Sequence, residues 1–360
     1  MVYLDYAATC PVVKYPQRLY RDVLGGGYFL NPNANYAYKE KKLLKQAEDR
    51  VKKAIGAKSG KVIFGGTSSQ LIENLMTAID EQTNYRHVIC SAFEHDNFFR
   101  HGNVIGYSKK DLLNKLQIAK EYVTEAQKFV VWQGVNNLTG EIFPIVDIGN
   151  ACHQYDVSYI CDMTAMIGKV PIPANINQWC DCAVWSGHKL GTELGIGCCW
   201  ISDRLDKWLN DFKLHGTPNL AGALAMTQAV EDACDSKTIK KHNFHWVKLA
   251  NKFGGLLTKS DIEHTFVPFV LDDYTCAINA IRLPGFNADA LQQYLASKQI
   301  YVSIGGSACA EKHDYRVLNA YGLSNDEASE VIRVSFGEDS SVEDVVALVE
   351  GIKEFKELYL

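Results

Sequence analysis

The feature that most constrains this chain is an alternation between residues 61 and 201. Short apolar runs at 61–64, 87–91, 129–133, 158–162, 182–185 and 197–201 are interleaved with helical patterns at 70–80, 111–119 and 148–155. Apolar strands alternating with amphipathic helices build a mostly parallel sheet covered on both faces. Only residues 190–196 join the last two runs. That is too short for a parallel crossover, so this pair is predicted to be antiparallel. Ahead of the sheet, Leu43, Leu44, Ala47, Val51, Ala54 and Ile55 recur at helical spacing and predict a helix over 36–55, with a shorter one over 16–24. Beyond it come long helical patterns at 219–233 and 237–257. A second region then mixes strands at 265–271, 276–283 and 332–335 with helices at 289–298 and 341–359. A chain of 360 residues has room for two lobes. The pattern divides it into a large α/β domain over 15–235 and a smaller α+β domain formed by 1–14 and 236–360.

Composition narrows the class. A hydrophobic content of 47% with 22% charged residues suits a soluble globular protein, and a net charge of −5 argues against direct nucleic-acid binding. No apolar run reaches the ~18 residues that would suggest a membrane span. The N-terminus lacks a secretory pattern, so a cytoplasmic protein is expected. Its eleven cysteines then read as reduced thiols, and neither Cys180/Cys182 nor Cys198/Cys199 has the spacing of a zinc site. No metal is expected.

Ligands of such sheets gather beyond the carboxyl ends of the parallel strands. The first run leads into Gly65-Gly66-Thr67-Ser68-Ser69-Gln70 at the start of a helical pattern. Amides at a helix N-terminus, joined by hydroxyls, form an anion cradle; the plainer reading is a helix cap. His95 follows the second run and Asn137 the third, Asp162 ends the fourth, and Ser186-Gly187-His188-Lys189 closes the fifth. Each alone reads as structural: a core histidine, an Asx turn, a cap, an exposed lysine. Together, at successive strand ends, they suit pyridoxal 5′-phosphate. Lys189 would form the Schiff base, Asp162 would pair with the pyridinium nitrogen, and His95 would stack on the ring. The Gly-Thr-Ser loop and Ser186-Gly187-His188 would take the phosphate.

The chain resembles the cysteine desulfurases, class V members of the fold-type I pyridoxal-phosphate enzymes. The resemblance runs through Tyr3-Leu-Asp-Tyr-Ala-Ala-Thr9, Asn31-Pro32, Glu94-His95, Val135-Asn-Asn137, Asp162-Met-Thr164 and Gly168-Lys-Val-Pro-Ile172. It continues in Ser186-Gly-His-Lys189, Gly216-Thr-Pro-Asn219, Gly306-Ser-Ala-Cys309 and Arg333-Val-Ser-Phe-Gly337. It implies a mostly parallel seven-stranded sheet with one antiparallel strand, plus a smaller α+β domain that carries a catalytic cysteine loop. By the same resemblance Lys189 removes the α-proton of L-cysteine, while Asp162 keeps the ring nitrogen protonated. His95 stacks on the ring and moves protons, and Asn137 contacts the cofactor's 3′ oxygen or the substrate. Ser68, Ser186 and His188 bind phosphate with Thr67 beside them. Thr217 reaches the phosphate across a homodimer interface. Arg333 clamps the substrate carboxylate, aided by Asn31. The thiolate of Cys309 takes the substrate sulfur as a persulfide, releasing alanine. A sulfur-acceptor protein follows, in iron–sulfur assembly, tRNA thiolation or DNA phosphorothioation.

The pattern also departs from that family. The string Asp162-Met163-Thr164-Ala165 has alanine where the family carries a glutamine amide for the 3′ oxygen, so the cofactor's ionisation is expected to be perturbed. The loop from Gly66 is one residue longer, which leaves the register of Thr67, Ser68 and Ser69 open. Lys213-Leu214-His215 replaces the usual arginine, and Tyr36 stands for a usual histidine. Two further readings follow: a selenocysteine lyase or related lyase in which Cys309 is dispensable, and a weakly active sulfur-relay subunit.

Overall fold

A computed structural model describes all residues except 12–17, 19–20, 24, 27–30, 32, 84–85, 123–126, 268–272 and 306–313. Its chain opens with β1 (Val2–Tyr3). The alternating stretch then forms β2 (Lys61–Gly65), β3 (Arg86–Ser91), β4 (Val104–Gly106), β5 (Gln127–Val131), β6 (Ser158–Asp162), β7 (Cys182–Ser186) and β8 (Gly197–Ile201). These make one seven-stranded sheet in the order β2-β8-β7-β6-β5-β3-β4. Strands β3 to β7 are parallel to their neighbours among themselves, whereas β8 runs antiparallel to both β7 and β2. The short link between Ser186 and Gly197 therefore does what its length dictates. Strand β4 escapes a reading by pattern because three residues carry no period.

Helices cover the sheet. Ser68–Gln82 buries Leu71, Ile72, Leu75, Met76 and Ile79 against Val88, Phe129, Ile160, Val184 and Ile201 of the strands. Each such aliphatic side chain contributes about 1.5–3 kcal/mol on burial. Tyr38–Ala54 packs on Leu220–Cys234 through Leu43, Leu44, Ala47, Leu220, Ala221 and Leu224. The cysteines of this region are core residues: Cys161, Cys180, Cys182, Cys198 and Cys199 are buried. Burial pushes the Cys199 thiol up to about 12, which keeps it protonated and inert.

The chain divides into two compact units. One comprises Pro11–Gly134 and Phe143–Thr238 and holds the seven-stranded sheet. The other comprises Met1–Cys10, Val135–Ile142 and Ile239–Leu360. Its strands are β9 (Thr265–Val267), β10 (Ile278–Arg282), β11 (Ile300–Tyr301), β12 (Ser303–Ile304) and β13 (Val331–Ser335). A four-stranded antiparallel sheet runs β12-β13-β10-β9, and β1 pairs parallel with β11. Assignment of Val135–Ile142 to this unit is invisible to strand–helix alternation. It rests on pairings distant in sequence, such as Glu141 with Tyr274 and the Ile142 amide with the Asp273 carbonyl. The helix expected over 16–24 and the later part of the strand over 265–271 fall largely outside the described residues.

Candidate active site

Strand β8 gathers the anion-binding candidates. Its first residue, Gly197, pairs with Gly65 on one side and Ser186 on the other. Gly66-Thr67-Ser68 and Ser186-Gly187-His188 therefore leave the sheet side by side. A Cβ at Gly197 would lie 2.5 Å from the Ser68 amide nitrogen and collide with the Thr67 carbonyl carbon. Only glycine lets the loop lie so close. Thr67 caps the helix Ser68–Gln82, its Oγ1 accepting from the Gln70 amide at 3.0 Å, and Gln70 Oε1 accepts from the Gly66 amide at 2.9 Å. The Ser69 hydroxyl accepts from Asn97 Nδ2 at 2.6 Å, which ties this helix to the turn carrying His95.

The second loop folds as a 3₁₀ turn over Gly187–Lys189. The Gly187 amide donates to Ile196 O at 3.1 Å and its carbonyl accepts from Thr192 N at 3.2 Å. A side chain at Gly187 would strike Thr192 and come within 2.7 Å of Ile196 Cγ2. Burial and then the adjacent Lys189 charge push His188 down to about 4, so its imidazole is neutral at pH 7.

His95 is the N-cap of the short helix Asp96–Phe99, with Nδ1 accepting from the Asn97 amide at 3.3 Å. A neutral ring in this arrangement carries its proton on Nε2. The preceding residues are clamped by Gln133, just beyond β5. Its backbone N–H donates to Glu94 Oε1 and its Nε2 to Phe93 O, and all three groups are buried. Gln133 thus fixes the two residues ahead of His95, a link no local pattern discloses. Asp162 ends β6, 8% exposed, and among the described residues its carboxylate accepts one hydrogen bond, to Oδ1 from Thr164 N at 2.8 Å. Further lone pairs remain for another donor. Ala165 is buried beside Met163 and Met166. A Cβ on Gly134 would lie 2.5 Å from Met166 Sδ, so the chain beyond β5 passes close against Met166.

This donor set fits pyridoxal 5′-phosphate: a glycine-lined cradle with hydroxyls at the start of a 15-residue helix, a neutral imidazole, a buried carboxylate with lone pairs to spare, and an amine.

Other expected residues lie elsewhere. Thr217 is exposed, two residues ahead of Asn219, which caps the helix Leu220–Cys234 by accepting from Gly222 N at 2.9 Å. Asn31 Oδ1 accepts from Asn33 N at 3.0 Å, and Asn33 Nδ2 donates to Gly216 O at 3.1 Å, which links the Asn31 turn to the Thr217 loop. Asn137 belongs to the other unit, where its carbonyl accepts from Arg333 Nη1 at 3.0 Å. Cys309 lies outside the described residues. Among the described residues no His/Cys/Asp/Glu group could hold a metal, and no helix is long and apolar enough to cross a membrane.

Fold and site define a fold-type I pyridoxal-phosphate enzyme. The sequence profile of the class-V aminotransferases matches residues 2–348, and the chain belongs to that family. Curated relatives include the cysteine desulfurase IscS of Mannheimia succiniciproducens, 28% identical over 98% of this chain and 92% of that protein. Another is the putative cysteine desulfurase IscS 1 of Bacillus subtilis, 25% identical over 96% of this chain and 95% of its own. Among solved structures, a NifS-like protein superposes with a TM-score of 0.84 at 21% identity, covering 99% of both chains. The NifS-like protein of Rickettsia africae gives 0.82 at 21% identity, over 99% of this chain and all of the other.

Proposed function

We propose that this protein is a pyridoxal-phosphate-dependent cysteine desulfurase that converts L-cysteine to L-alanine and delivers the sulfur to an acceptor protein. The observation that carries the reading is the joining of class-V membership over residues 2–348 to the strand-end set Lys189, Asp162, His95 and the Gly197-centred cradle. Relatives matched along almost the whole chain bear the desulfurase name.

When bound, the cofactor supplies an electron sink for the bond-breaking at the substrate's α-carbon. Thr67, Ser68, Ser186 and His188 hold its phosphate, and the Asp162 carboxylate keeps a proton on the ring nitrogen. Lys189 Nζ would hold the cofactor's aldehyde between turnovers, and it takes the α-proton of L-cysteine and later returns a proton to that carbon. His95 covers the ring face and holds a proton at Nε2. Asn137 contacts the 3′ oxygen or the substrate. Arg333 is assigned to the substrate carboxylate, a group its guanidinium can meet with two parallel bonds, with Asn31 assisting. The Cys309 thiolate then attacks the substrate sulfur. An S–S bond forms as the Cβ–S bond breaks; the electron pair of that bond stays on carbon, which takes a proton and leaves as alanine. Thr217 is assigned to the phosphate of a second protomer, making the enzyme a homodimer. Its buried thiols suit the reducing cytoplasm. The acceptor belongs to iron–sulfur assembly, tRNA thiolation or DNA phosphorothioation.

The test is production of alanine and sulfide from L-cysteine with a reductant. Lys189→Ala is expected to lose both the cofactor's visible band and turnover. Cys309→Ser is expected to stay yellow and make no sulfide. Full turnover by Cys309→Ser would point to a lyase, and an inactive wild-type holoenzyme would refute the assignment.

A further inference from the structure

The opening motif Tyr3-Leu4-Asp5-Tyr6-Ala7-Ala8-Thr9 has no part in the reaction above, yet its contacts converge on one side chain. Leu4 is fully buried, and its amide donates to Tyr301 O at 2.9 Å while its carbonyl accepts from Ser335 N at 2.8 Å. The Ala7 amide donates to Ser335 Oγ at 2.9 Å. The Tyr3 hydroxyl donates to Thr9 O at 2.7 Å, closing the turn, and the Tyr6 ring fills the space that a side chain at Gly337 would need. The segment is thereby fixed alongside β13, with Asp5 bridged to Ser335 two residues beyond Arg333.

Asp5 Oδ1 accepts from Arg333 Nη2 at 2.8 Å and from the Ser303 hydroxyl at 2.8 Å, and Ser303 Oγ accepts from Arg333 Nη2 at 2.9 Å. Ser303 lies directly opposite Arg333 in the β12/β13 register. With the Asn137 carbonyl on Nη1, three of the five guanidinium hydrogens are committed among the described residues. Nε is buried with no hydrogen-bond partner among the described residues. A cation only 5% exposed is thus charge-compensated, and its plane is set while donors remain uncommitted.

We infer that Asp5, acting with Ser303, is a positioning residue that orients the Arg333 guanidinium for the carboxylate of the amino-acid substrate. This rests on the assignment of Arg333 made above. The opposing view is that Asp5 competes with the substrate for Arg333, and the two differ in sign.

The experiment is steady-state alanine formation by the holoenzyme against L-cysteine concentration. We expect Asp5→Ala to raise KM about tenfold, with kcat changing by less. Asp5→Asn, which keeps an acceptor oxygen, and Ser303→Ala should each raise KM about threefold, and Asp5→Glu should recover part of the loss. In an Arg333→Ala background, Asp5→Ala should add no further rise, since the two side chains act through one contact. An unchanged or lowered KM in the Asp5 and Ser303 variants, in protein that retains the wild-type cofactor absorbance, overturns the inference. Should Asp5→Ala fail to fold, Asp5→Asn and Ser303→Ala decide between the two views by the same change in KM. If Arg333→Ala itself leaves KM unchanged, the carboxylate assignment has failed and the inference falls with it. If Arg333→Ala raises KM strongly while the other variants do not, the inference alone fails.

Discussion

Two buried aspartates, at opposite ends of the same parallel strands, differ in how far their own fold satisfies them. Asp181 lies just ahead of β7, where its carboxylate accepts from His153 Nε2, Tyr159 N, Ser202 Oγ, and Arg204 Nε and Nη2. Asp162, at the carboxyl end of β6, accepts from Thr164 N alone among the described residues. Both are nearly inaccessible, so burial by itself does not separate them. Hydrogen-bond saturation does. A carboxylate whose lone pairs are filled by its own fold has nothing left to offer a ligand.

Substitutions should pull the pair apart. Asp181→Asn leaves Arg204 and His153 without their charge partner, and a loss of about 3–5 kcal/mol is expected in chemical denaturation, with kcat per folded molecule retained. Asp162→Asn should do the reverse. Alanine formation is expected to fall on the order of a hundredfold or more, while the denaturation midpoint moves by the about 1 kcal/mol of one hydrogen bond. A stable but inactive Asp181 variant would erase the distinction.

Acid should separate the two strand ends as well. Burial works to raise the Asp181 carboxyl, but the bonds from His153 and Arg204 prevail and hold it at about 2. Its ordinary value is 3.8, so the unfolded chain takes the proton first. The associated stability, about 2 kcal/mol, is present above that ordinary value and lost as pH falls through about 2. His188, lowered from 6.5 to about 4, acts in a higher window. Cofactor-free protein should lose stability as pH drops from 6.5 toward 4. The effect is read as a slope in thermal denaturation against pH, and His188→Gln should flatten it. A slope that survives the substitution would assign the window to another group.

Much of the large unit was legible from pattern. The runs expected at 158–162 and 197–201 are β6 and β8 residue for residue, and the antiparallel last pair followed from the short link between its strands. The helix Ser68–Gln82 begins two residues earlier than its apolar period suggests, because Thr67 supplies the cap. The cradle was harder to read. Thr67 and Ser69 both make structural bonds, and Gly197, which brings the two loops together, carries no side chain to attract notice.

What the sequence determined by itself is what short stretches of chain determine: hydrophobic period, link length, and the residue types at strand ends that specify the cofactor. Only the tertiary structure decided which aspartate is saturated, that Gln133 holds Phe93 and Glu94 ahead of His95, and that Asp5 meets Arg333 across a sequence separation of 328 residues. The reason is physical. Propensity and periodicity act over a few residues, whereas a buried hydrogen bond depends on which distant groups the fold brings within about 3 Å of one another.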